Sequence, residues 1–323
     1  MKVLIRSILI AFALLLGFLP AVRAADFPNK PVRWIIPFPP GGSNDVLARY
    51  IGIKLSQRMG QQVVIDNRGG ANGIIGTDLA SQASPDGYTI LIISTSFVLN
   101  ASVRKLPYDI QKSFDPIAMI ASSPNSIVTH PTKGYKSLQD LVSQAKAKPG
   151  SINYAHTGVG GFNHFGGELF KKVAGIDMVP VAYKGGGPAM IDVIGGNMLV
   201  MFTSITQVLG HVRAGRIKML AVGAANRNAA VPDIPTVIES GFPGYEMYVW
   251  WGIAAPTGVP RDRAAILYRE ITAVLQDPDT KKWLEQNAAA EAQTSKPAEI
   301  RTMIGADLKK WTEVAKTAGI KVK

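Results

Sequence analysis

Short apolar segments of strand length alternate with amphipathic segments through the first 225 residues of the chain. The apolar segments are Val32–Phe38, Val63–Asp66, Thr89–Ile93, Ile152–Ala155, Val179–Tyr183, Leu199–Phe202 and Lys218–Val222. Strands that are apolar on both faces and separated by amphipathic segments are typical of parallel sheets covered by helices. The pattern therefore predicts an α/β protein built from mostly parallel sheets.

Helical spacing of apolar residues predicts the segments between the strands. Asp45–Met59 places one apolar face toward a core, with Ser43 or Asn44 as its N-cap, and Asn72–Ala83 and Phe162–Ala174 have the same pattern. After Trp250–Pro256 no further strand is predicted. The remaining chain is predicted to form three helices, at Arg261–Leu275, Asp279–Ala290 and Pro297–Ala318.

A glycine-rich turn follows four of the predicted strands and precedes a helix. The four strand–turn units are Trp34–Asp45, Val63–Gly73, Ile152–Gly161 and Val179–Pro188. Each unit leaves unpaired backbone N–H groups at a helix N-terminus, where the helix dipole favours negative charge. Two units come early and two come in the middle of the chain. Two lobes are therefore expected to offer amides to one anion, as a clamp for a carboxylate does.

The spacing of these turns and the late helical tail predict how the chain divides. Lobe one is expected to comprise residues 26–121 together with 252–323, because the tail crosses back to cover it. Lobe two is expected to comprise residues 122–251. Two crossing strands would join the lobes, and a ligand cleft would lie between them.

The first 24 residues have the pattern of a secretion signal. Lys2 and Arg6 precede the apolar stretch Ile8–Val22, and Val22-Arg23-Ala24 is a small-x-small cleavage site. A membrane anchor is the alternative, but it needs about 20 apolar residues. Cleavage after Ala24 and release into a bacterial periplasm are expected. Since the chain has no cysteine, a lipid-anchored lipoprotein, a disulfide framework and a thiol nucleophile are excluded.

The net charge points to small anions as partners. The full chain carries +12, and removing Lys2, Arg6 and Arg23 with the signal leaves 12 − 3 = +9. Lysines and arginines are scattered without a basic run, and an exported protein has little access to nucleic acid, so no nucleic-acid partner is expected. A positive surface would raise the local concentration of small anions. A generically basic soluble surface explains the charge equally well.

Motifs for catalysis, metals and cofactors are missing from the sequence. There is no Gly-x-Ser-x-Gly elbow, no His-Glu-x-x-His pair and no phosphate-binding loop, and the four histidines lack metal spacing. Gly158–Asn163 matches a dinucleotide fingerprint only in part, because Asn163 replaces the third glycine. Neither a cofactor nor a metal is expected, and the protein is not expected to be an enzyme.

Several single residues have two interpretations each. His156 and His164 flank a glycine turn, so one of them can face a ligand, and His164 is the candidate. The alternative is that both histidines have an ordinary packing or surface role. Asp45 suits helix capping better than catalysis. Arg68 beside its turn suits an anion or a surface ion pair equally well. The pair Trp250-Trp251 suits a core better than a stacking platform.

The motifs in this order resemble the substrate-binding receptors of tripartite tricarboxylate transporters, the Bug-type periplasmic proteins. The resemblance runs from the signal to the last helix. It rests on Pro37-Phe-Pro-Pro-Gly-Gly-Ser-Asn-Asp45 with Arg49, Asn67-Arg-Gly-Gly-Ala-Asn-Gly73, Tyr183-Lys-Gly-Gly-Gly-Pro-Ala189 and Pro232-Asp-Ile-Pro-Thr-Val-Ile-Glu-Ser-Gly-Phe-Pro-Gly244.

The resemblance implies a bilobed type II periplasmic-binding fold that closes on a small carboxylate, in part through bridging water. It also implies a monomer that delivers this organic acid to the membrane components of the transporter. Together with His164, the candidate ligand-binding residues are Pro40, Gly41, Gly42, Ser43, Ala71, Asn72, Gly73, Thr95, Ser96 and Phe97 in lobe one, and Thr157, Gly158, Gly160, Lys184, Gly185, Phe202, Thr203 and Ser204 in lobe two.

Two residues depart from the family pattern. Gly69 stands where proline is usual, which is expected to loosen that turn. Thr203 stands where an aspartate is common, which removes a counter-charge for an α-ammonium group. A mono- or dicarboxylate is therefore expected rather than an amino acid. Aromatic residues on the same loops suit a flat aromatic acid; they are Phe97, Phe162, Phe202 and Trp250.

Two other functions use features of the same sequence. A receptor that presents its ligand to a sensor kinase would have the same fold and the same turns. A secreted enzyme acting on an anionic substrate would need a nucleophile or an acid–base pair in the cleft, and the sequence has no paired carboxylates at a telling spacing.

Overall fold

The computed structural model describes residues 27–317 and 319–320. The predicted signal peptide and its cleavage site lie outside the described residues. The strands are β1 (Val32–Ile36), β2 (Val63–Asn67), β3 (Thr89–Ser94), β4 (Phe114–Thr129), β5 (Asn153–His156), β6 (Val179–Ala182), β7 (Val200–Ser204), β8 (Lys218–Gly223), β9 (Tyr248–Pro256) and β10 (Glu291–Ala292). The α-helices are α1 (Ser43–Met59), α2 (Ile74–Ser81), α3 (Thr95–Val103), α4 (Leu138–Ala147), α5 (Phe162–Ala174), α6 (Gly186–Gly195), α7 (Ile205–Arg213), α8 (Arg261–Gln276), α9 (Pro278–Ala288) and α10 (Pro297–Thr317).

The strands form two groups that share β4. In the first group β1 pairs in parallel with β2 and β3, and β9 lies antiparallel between β3 and β4. In the second group β5 pairs in parallel with β6 and β7, and β4 is antiparallel to β7 and β8. The expected parallel strands are present, and pairing through β4 and β9 makes both sheets mixed.

The long strands β4 and β9 run between the two groups. Residues 114–124 of β4 pair with β9, whereas residues 125–129 pair with β7 and β8. The hydrophobic pattern did not predict β4 as a strand. Pro116, Pro124 and the polar pair Ser122-Ser123 interrupt its apolar run, yet all of β4 except Asp115 and Ser122 is buried.

Three hydrophobic clusters form the core. The largest surrounds the first group of strands, contains Trp34 and Trp251, and includes Leu267, Ile304 and Trp311 from the C-terminal helices. Two smaller clusters cover the two faces of the second group. The C-terminal helices therefore pack against strands formed by the beginning of the chain. Within the described part of the chain, no helix is both long and apolar enough to cross a membrane.

Contrary to the prediction, a short strand, β10, follows Pro256 and pairs antiparallel with β4. Element boundaries differ from the prediction mainly at the glycine turns. Helix α1 begins at Ser43 with Gly42 as its N-cap, in place of the predicted Ser43 or Asn44. The predicted helix at 72–83 is a 3₁₀ turn, Ala71–Gly73, followed by α2, because Asn72 has a left-handed backbone with φ of 55°. Helix α5 has the predicted bounds.

Candidate ligand-binding site

A cavity of about 40 Å³ lies between the two groups of strands. We call it the inner cavity. By volume it holds about three water molecules or one carboxylate group. Its lining residues are Phe38, Gly42, Ser43, Asn44, Ser94, Ser96, Thr157, Phe162, Asn163, Gly186, Thr203, Ser204, Gln207 and Val249.

Five helices begin at the inner cavity, and their own side chains do not cap them. The N-caps of α1, α3, α5, α6 and α7 make no side-chain hydrogen bond to the first turn; they are Gly42, Ser94, Gly161, Gly185 and Ser204. Of the helices that begin elsewhere, α4 and α9 are capped by the side chains of Ser137 and Asp277, which accept hydrogen bonds from first-turn amides, whereas α2 and α8 have no such cap. Apart from the amide of Phe162, which donates to Ser96 Oγ, the first-turn N–H groups around the cavity are therefore available to a ligand.

Acidic residues are distributed in the same way. Four helices that begin elsewhere have an acid in their first turn, namely Asp140 in α4, Asp262 in α8, Asp279 in α9 and Glu299 in α10. Helices α3, α5, α6 and α7 have none. An acid in the first turn stabilises the positive end of a helix dipole. Four of the dipoles at the inner cavity lack that internal partner.

Asp45, in the first turn of α1, is the exception and is fully engaged. Its carboxylate accepts hydrogen bonds from the amide of Gly41 (3.0 Å), from Arg49 (2.9 Å) and from Asn67 (3.0 Å). Burial opposes its ionisation, but these three hydrogen bonds outweigh burial, so the pKa of Asp45 is lowered. Asp45 therefore fixes the glycine turn to the end of β2, a structural role close to the predicted capping.

Hydroxyl and amide groups complete the lining. The Ser204 hydroxyl is 2% exposed and has no hydrogen-bond partner in the described structure. The Thr203 hydroxyl donates to Gln207 Oε1 (2.9 Å), and Gln207 Nε2 donates to the carbonyl of Gly186 (2.7 Å). A buried polar group without a partner costs free energy unless a ligand or water satisfies it. The Ser204 hydroxyl is therefore free to bind a ligand.

A second, larger cavity lies beside the first, and we call it the outer groove. Its volume is about 790 Å³. Thr157 lines both cavities. The other residues of the outer groove are Pro39, Pro40, Asn67, Gly69, Gly70, Ala71, Asn72, Arg104, Gly158, Val159, Ala182, Tyr183 and Lys184.

Direct contacts join the two sides between the cavities. The Thr157 hydroxyl lies 3.0 Å from Asn72 Oδ1 and 3.2 Å from Asn163 Oδ1, and it donates its one hydrogen to one of these two oxygens. The amide of Phe162 donates to Ser96 Oγ (3.3 Å). A Cβ on Gly161 would lie 2.5 Å from Asn72 Oδ1, so only glycine permits this approach. The described conformation therefore has the two sides in contact.

The structure divides the predicted residues among several places. Six line the inner cavity: Gly42, Ser43, Ser96, Thr157, Thr203 and Ser204. Five others line the outer groove: Pro40, Ala71, Asn72, Gly158 and Lys184. Glycines at the contact between the two sides are Gly41 beside Gly187, Gly160 beside Val103 and Gly185 beside Pro39. Gly73 and Phe97 border a space of about 10 Å³. Thr95, His164 and Phe202 line neither the inner cavity nor the outer groove.

Three of the four aromatic side chains expected at the ligand pack elsewhere. Phe97 packs against Tyr108 and Phe114. Phe202 packs against Tyr154 and Phe170. The Trp250 indole donates to Asp307 of α10 (2.9 Å). Only Phe162 lines the inner cavity, joined by the unpredicted Phe38. The structure therefore gives little support to a flat aromatic ligand.

The sequence prediction missed three amide side chains at the inner cavity, Asn44, Asn163 and Gln207. All three lie in the first turn of a helix and are less than 10% exposed. A polar amide in the first turn of an otherwise buried helix is the signal that would have identified them. The turn at Gly69 packs directly on Pro39, where an added Cβ would lie 2.7 Å from the proline ring, so a side chain at position 69 would require this contact to shift.

His156 and His164 form a buried pair behind the loop 157–161. Their rings lie 4.8 Å apart, and His164 is 6% exposed with no partner for Nδ1 in the described structure. Burial, and then the neighbouring His156, lower the pKa of His164 to about 4. Burial also lowers the pKa of His156. Both rings are therefore neutral at neutral pH.

The pair is expected to make stability depend on pH. Between pH 6.5 and about 4 the unfolded chain binds a proton that folded His164 does not, so stability falls as the pH falls. From pH 7 to pH 5 the free energy of unfolding should fall by about 2 kcal/mol from His164 alone. Urea unfolding at both pH values tests this in the wild type and His164→Gln. The variant should lose most of that difference, His130→Gln should keep it, and an unchanged pH dependence in His164→Gln would contradict the prediction.

This fold, with a polar cleft between two strand groups, is that of periplasmic binding proteins, and the molecule belongs to this class of protein. The sequence model described as tripartite tricarboxylate transporter family receptor matches residues 47–320. The chain belongs to this family and is a periplasmic solute-binding receptor. It is 34% identical to protein BugT of Bordetella pertussis over 312 residues, which cover 95% of each chain.

Solved structures agree with the family assignment. The periplasmic binding protein BugD superposes with a TM-score of 0.88 at 30% identity, over 92% of this chain and 100% of BugD. The R. palustris protein Rpa4515, solved with adipate, superposes with a TM-score of 0.88 at 32% identity, over 92% of this chain and 99% of that protein. The family resemblance predicted from the motifs is confirmed.

Proposed function

We propose that this protein binds a small organic acid without an ammonium group and delivers it to the membrane components of a tripartite tricarboxylate transporter. One carboxylate of the acid occupies the inner cavity. The observation that carries the proposal is the convergence of five helix N-termini without side-chain caps on one small cavity. The Ser204 hydroxyl without a partner supports it.

The lining favours an anion through neutral groups alone. Within the described residues that line the inner cavity there is no Asp, Glu, Lys, Arg or His. Amide and hydroxyl donors together with helix dipoles stabilise a buried negative charge. Within each lobe these donors are fixed by the fold, so binding needs the two lobes to come together but little ordering of the donor groups themselves.

The same lining disfavours an ammonium group. A buried ammonium without a counter-charge costs several kcal/mol. Thr203 occupies the position where the family commonly has an acid, and two other candidate acids, Asp45 and Glu168, are engaged within the protein. Asp45 binds Arg49 and Asn67, while Glu168 accepts from Tyr154 (2.8 Å) and from Lys171 (3.1 Å). The adipate bound to the similar R. palustris protein is also an acid without an ammonium group.

Ligand capture is proposed to involve closure of two lobes, residues 26–121 with 252–323 and residues 122–251. The crossing strand β4, with β9 paired along its first part, would form the hinge, since β4 alone among the described strands pairs within both strand groups. Contacts such as that between Asn72 and Thr157 would then hold the closed form.

Replacing Asn72 with glycine is expected to shift the empty protein toward an open form. The variant removes the Oδ1 acceptor that lies 3.0 Å from the Thr157 hydroxyl, together with the hydrogen bond that Asn72 donates to Asn100. Glycine accepts the φ of 55° at this position without strain. Small-angle scattering should show a larger radius of gyration for empty Asn72→Gly than for the wild type. Asn226→Gly, in a separate pocket beside Tyr248, is the control. Equal radii for all three proteins would contradict a latch at Asn72.

The proposed function is tested by calorimetric titration of the mature protein. The panel contains succinate, adipate, citrate and butyrate, each paired with its methyl ester or amide, and the amino acids aspartate and glutamate. At least one acid should bind in the micromolar range or tighter, and its neutral analogue at least tenfold more weakly. Binding of no acid, or equal binding of an acid and its ester, would contradict the proposal. Tighter binding of an amino acid than of every plain acid would contradict the ligand class.

Delivery and the absence of turnover need separate measurements. The bound acid should be recovered chemically unchanged after prolonged incubation with the protein, as expected of a receptor. Deleting the gene should abolish uptake of the labelled acid by cells, and a copy of the gene should restore it. Uptake that survives deletion while gene expression in response to the acid is lost would indicate a ligand-presenting receptor for a sensor kinase instead.

A further inference from the structure

The outer groove contains an arginine that has no acidic partner. Arg104 lines the groove at the end of α3, and no carboxylate of the described residues lies within 4.0 Å of its guanidinium nitrogens. Its Nη2 donates to the carbonyl of Val159 on the other side of the groove, and its buried Nε has no hydrogen-bond partner. Burial lowers the pKa of Arg104.

This arrangement is costly unless an anion binds there. A partly buried guanidinium loses water and gains here only one neutral carbonyl in return. Arginine binds carboxylates through two parallel N–H donors, and such charge-assisted bonds are about twice as strong as neutral ones. The partner that Arg104 lacks within the protein is therefore the kind of group that a ligand can provide.

Helix α3 connects this arginine to the inner cavity. Ser96 in its first turn lines the inner cavity, and Arg104 directly follows its last residue and lines the outer groove. Eight residues of helical rise separate their Cα atoms by about 12 Å. The side chain of Arg104 is long enough to reach back over part of that distance. Thr157 lines both cavities and contacts Asn72. An extended acid whose first carboxylate lies at Ser96 would have to pass Thr157 to bring its far end to Arg104.

We propose that Arg104 is a specificity-determining residue, which binds a second carboxylate of the ligand in the outer groove. The inference rests on the proposed function, because the first carboxylate is placed in the inner cavity. Lys184 also lines the groove, but its side chain is exposed, and an exposed charge pair contributes little to affinity. Arg104 is therefore the residue that distinguishes two-ended from one-ended acids.

The proposal is tested by comparing dicarboxylates with monocarboxylates of equal length. The probes are the straight-chain diacids of four to eight carbons and the corresponding fatty acids, titrated calorimetrically into wild type, Arg104→Gln, Arg104→Lys and Lys105→Gln. Lys105 is the adjacent exposed residue, so its variant removes the same charge without touching the groove. The melting temperature of each empty variant reports whether the fold is intact.

The expected result separates the two ends of the ligand. In the wild type at least one diacid should bind tenfold or more tightly than its fatty acid. Arg104→Gln should weaken binding of that diacid at least tenfold and binding of the fatty acid less than twofold. Arg104→Lys should weaken binding of the diacid by an intermediate factor, and Lys105→Gln should change the affinity for neither acid. Equal weakening of both ligands, or no weakening, would overturn the role of Arg104. If neither kind of acid binds the wild type, the proposed function itself fails.

Discussion

Replacing Gly42 with valine is expected to weaken carboxylate binding at least hundredfold while the protein remains folded. Gly42 lines the inner cavity and has φ of −85° and ψ of 167°, an extended conformation that valine adopts readily. A Cβ at this position would meet only the Pro39 carbonyl oxygen, at 3.9 Å. The three carbons of the valine side chain would occupy much of a cavity of about 40 Å³, leaving no space for the carboxylate.

The neighbouring residue shows why position 42 is the informative one. Gly41 has φ of 85°, so a side chain there would strain the turn and confuse loss of binding with loss of structure. Valine is a poorer N-cap than glycine, and the empty Gly42→Val protein should therefore lose no more than about 1 kcal/mol of stability.

The control for this prediction is Gly210→Val on the exposed surface of α7, where an added Cβ meets nothing within 4 Å. This variant should bind as the wild type does. Calorimetry gives the affinities, and thermal unfolding gives the stabilities. Normal binding by Gly42→Val would show that the first turn has only a structural role.

The second large effect is expected from Thr203→Asp. Thr203 is 2% exposed, lines the inner cavity and donates to Gln207. An aspartate here would place a negative charge beside the ligand carboxylate, with no cation among the described lining residues to separate them. Like charges in a poorly solvated site repel strongly. At pH 7 the affinity for plain acids should fall at least hundredfold.

The matched control is Thr203→Asn, which introduces a side chain of the size of aspartate without its charge. The asparagine amide would keep a donor and an acceptor, so plain acids should bind within tenfold of the wild type. The same titrations are repeated with aspartate and glutamate, whose ammonium group would gain a counter-charge in Thr203→Asp. If the two variants weaken binding equally, size rather than charge decides the ligand class, and the argument from Thr203 fails.

The hydrophobic pattern determined the elements that carry their own signal. Helix α5 has its predicted bounds because its apolar spacing and the glycines before and after it are local features. The glycine turns after β1 and β5 were likewise predictable, and they supply Gly42, Ser43 and Thr157 to the inner cavity. The ordered motifs also sufficed for the family, which the comparisons confirmed.

Only the tertiary structure decided which side of each loop faces the ligand. Phe202 was predicted at the site, but its side chain packs in the core while the next two residues, Thr203 and Ser204, line the cavity, because strand side chains alternate between faces and the strand ends at Ser204. Strand β4 was missed since its prolines and serines interrupt the apolar run, and its burial comes from partners distant in the chain.

The charges of the site also depend on the tertiary structure. Arg49 and Arg68 lie four and two residues from acids, Asp45 and Asp66, whereas no acid lies within four residues of Arg104. Folding pairs Arg49 with Asp45 and Arg68 with Asp66, whereas Arg104 is brought to the outer groove facing a carbonyl. The two ion pairs are therefore local, but the place of Arg104 in the groove depends on a contact with Val159, 55 residues away in the sequence. Local pattern therefore determined the elements and the family, and long-range packing determined which groups remain free to bind a ligand.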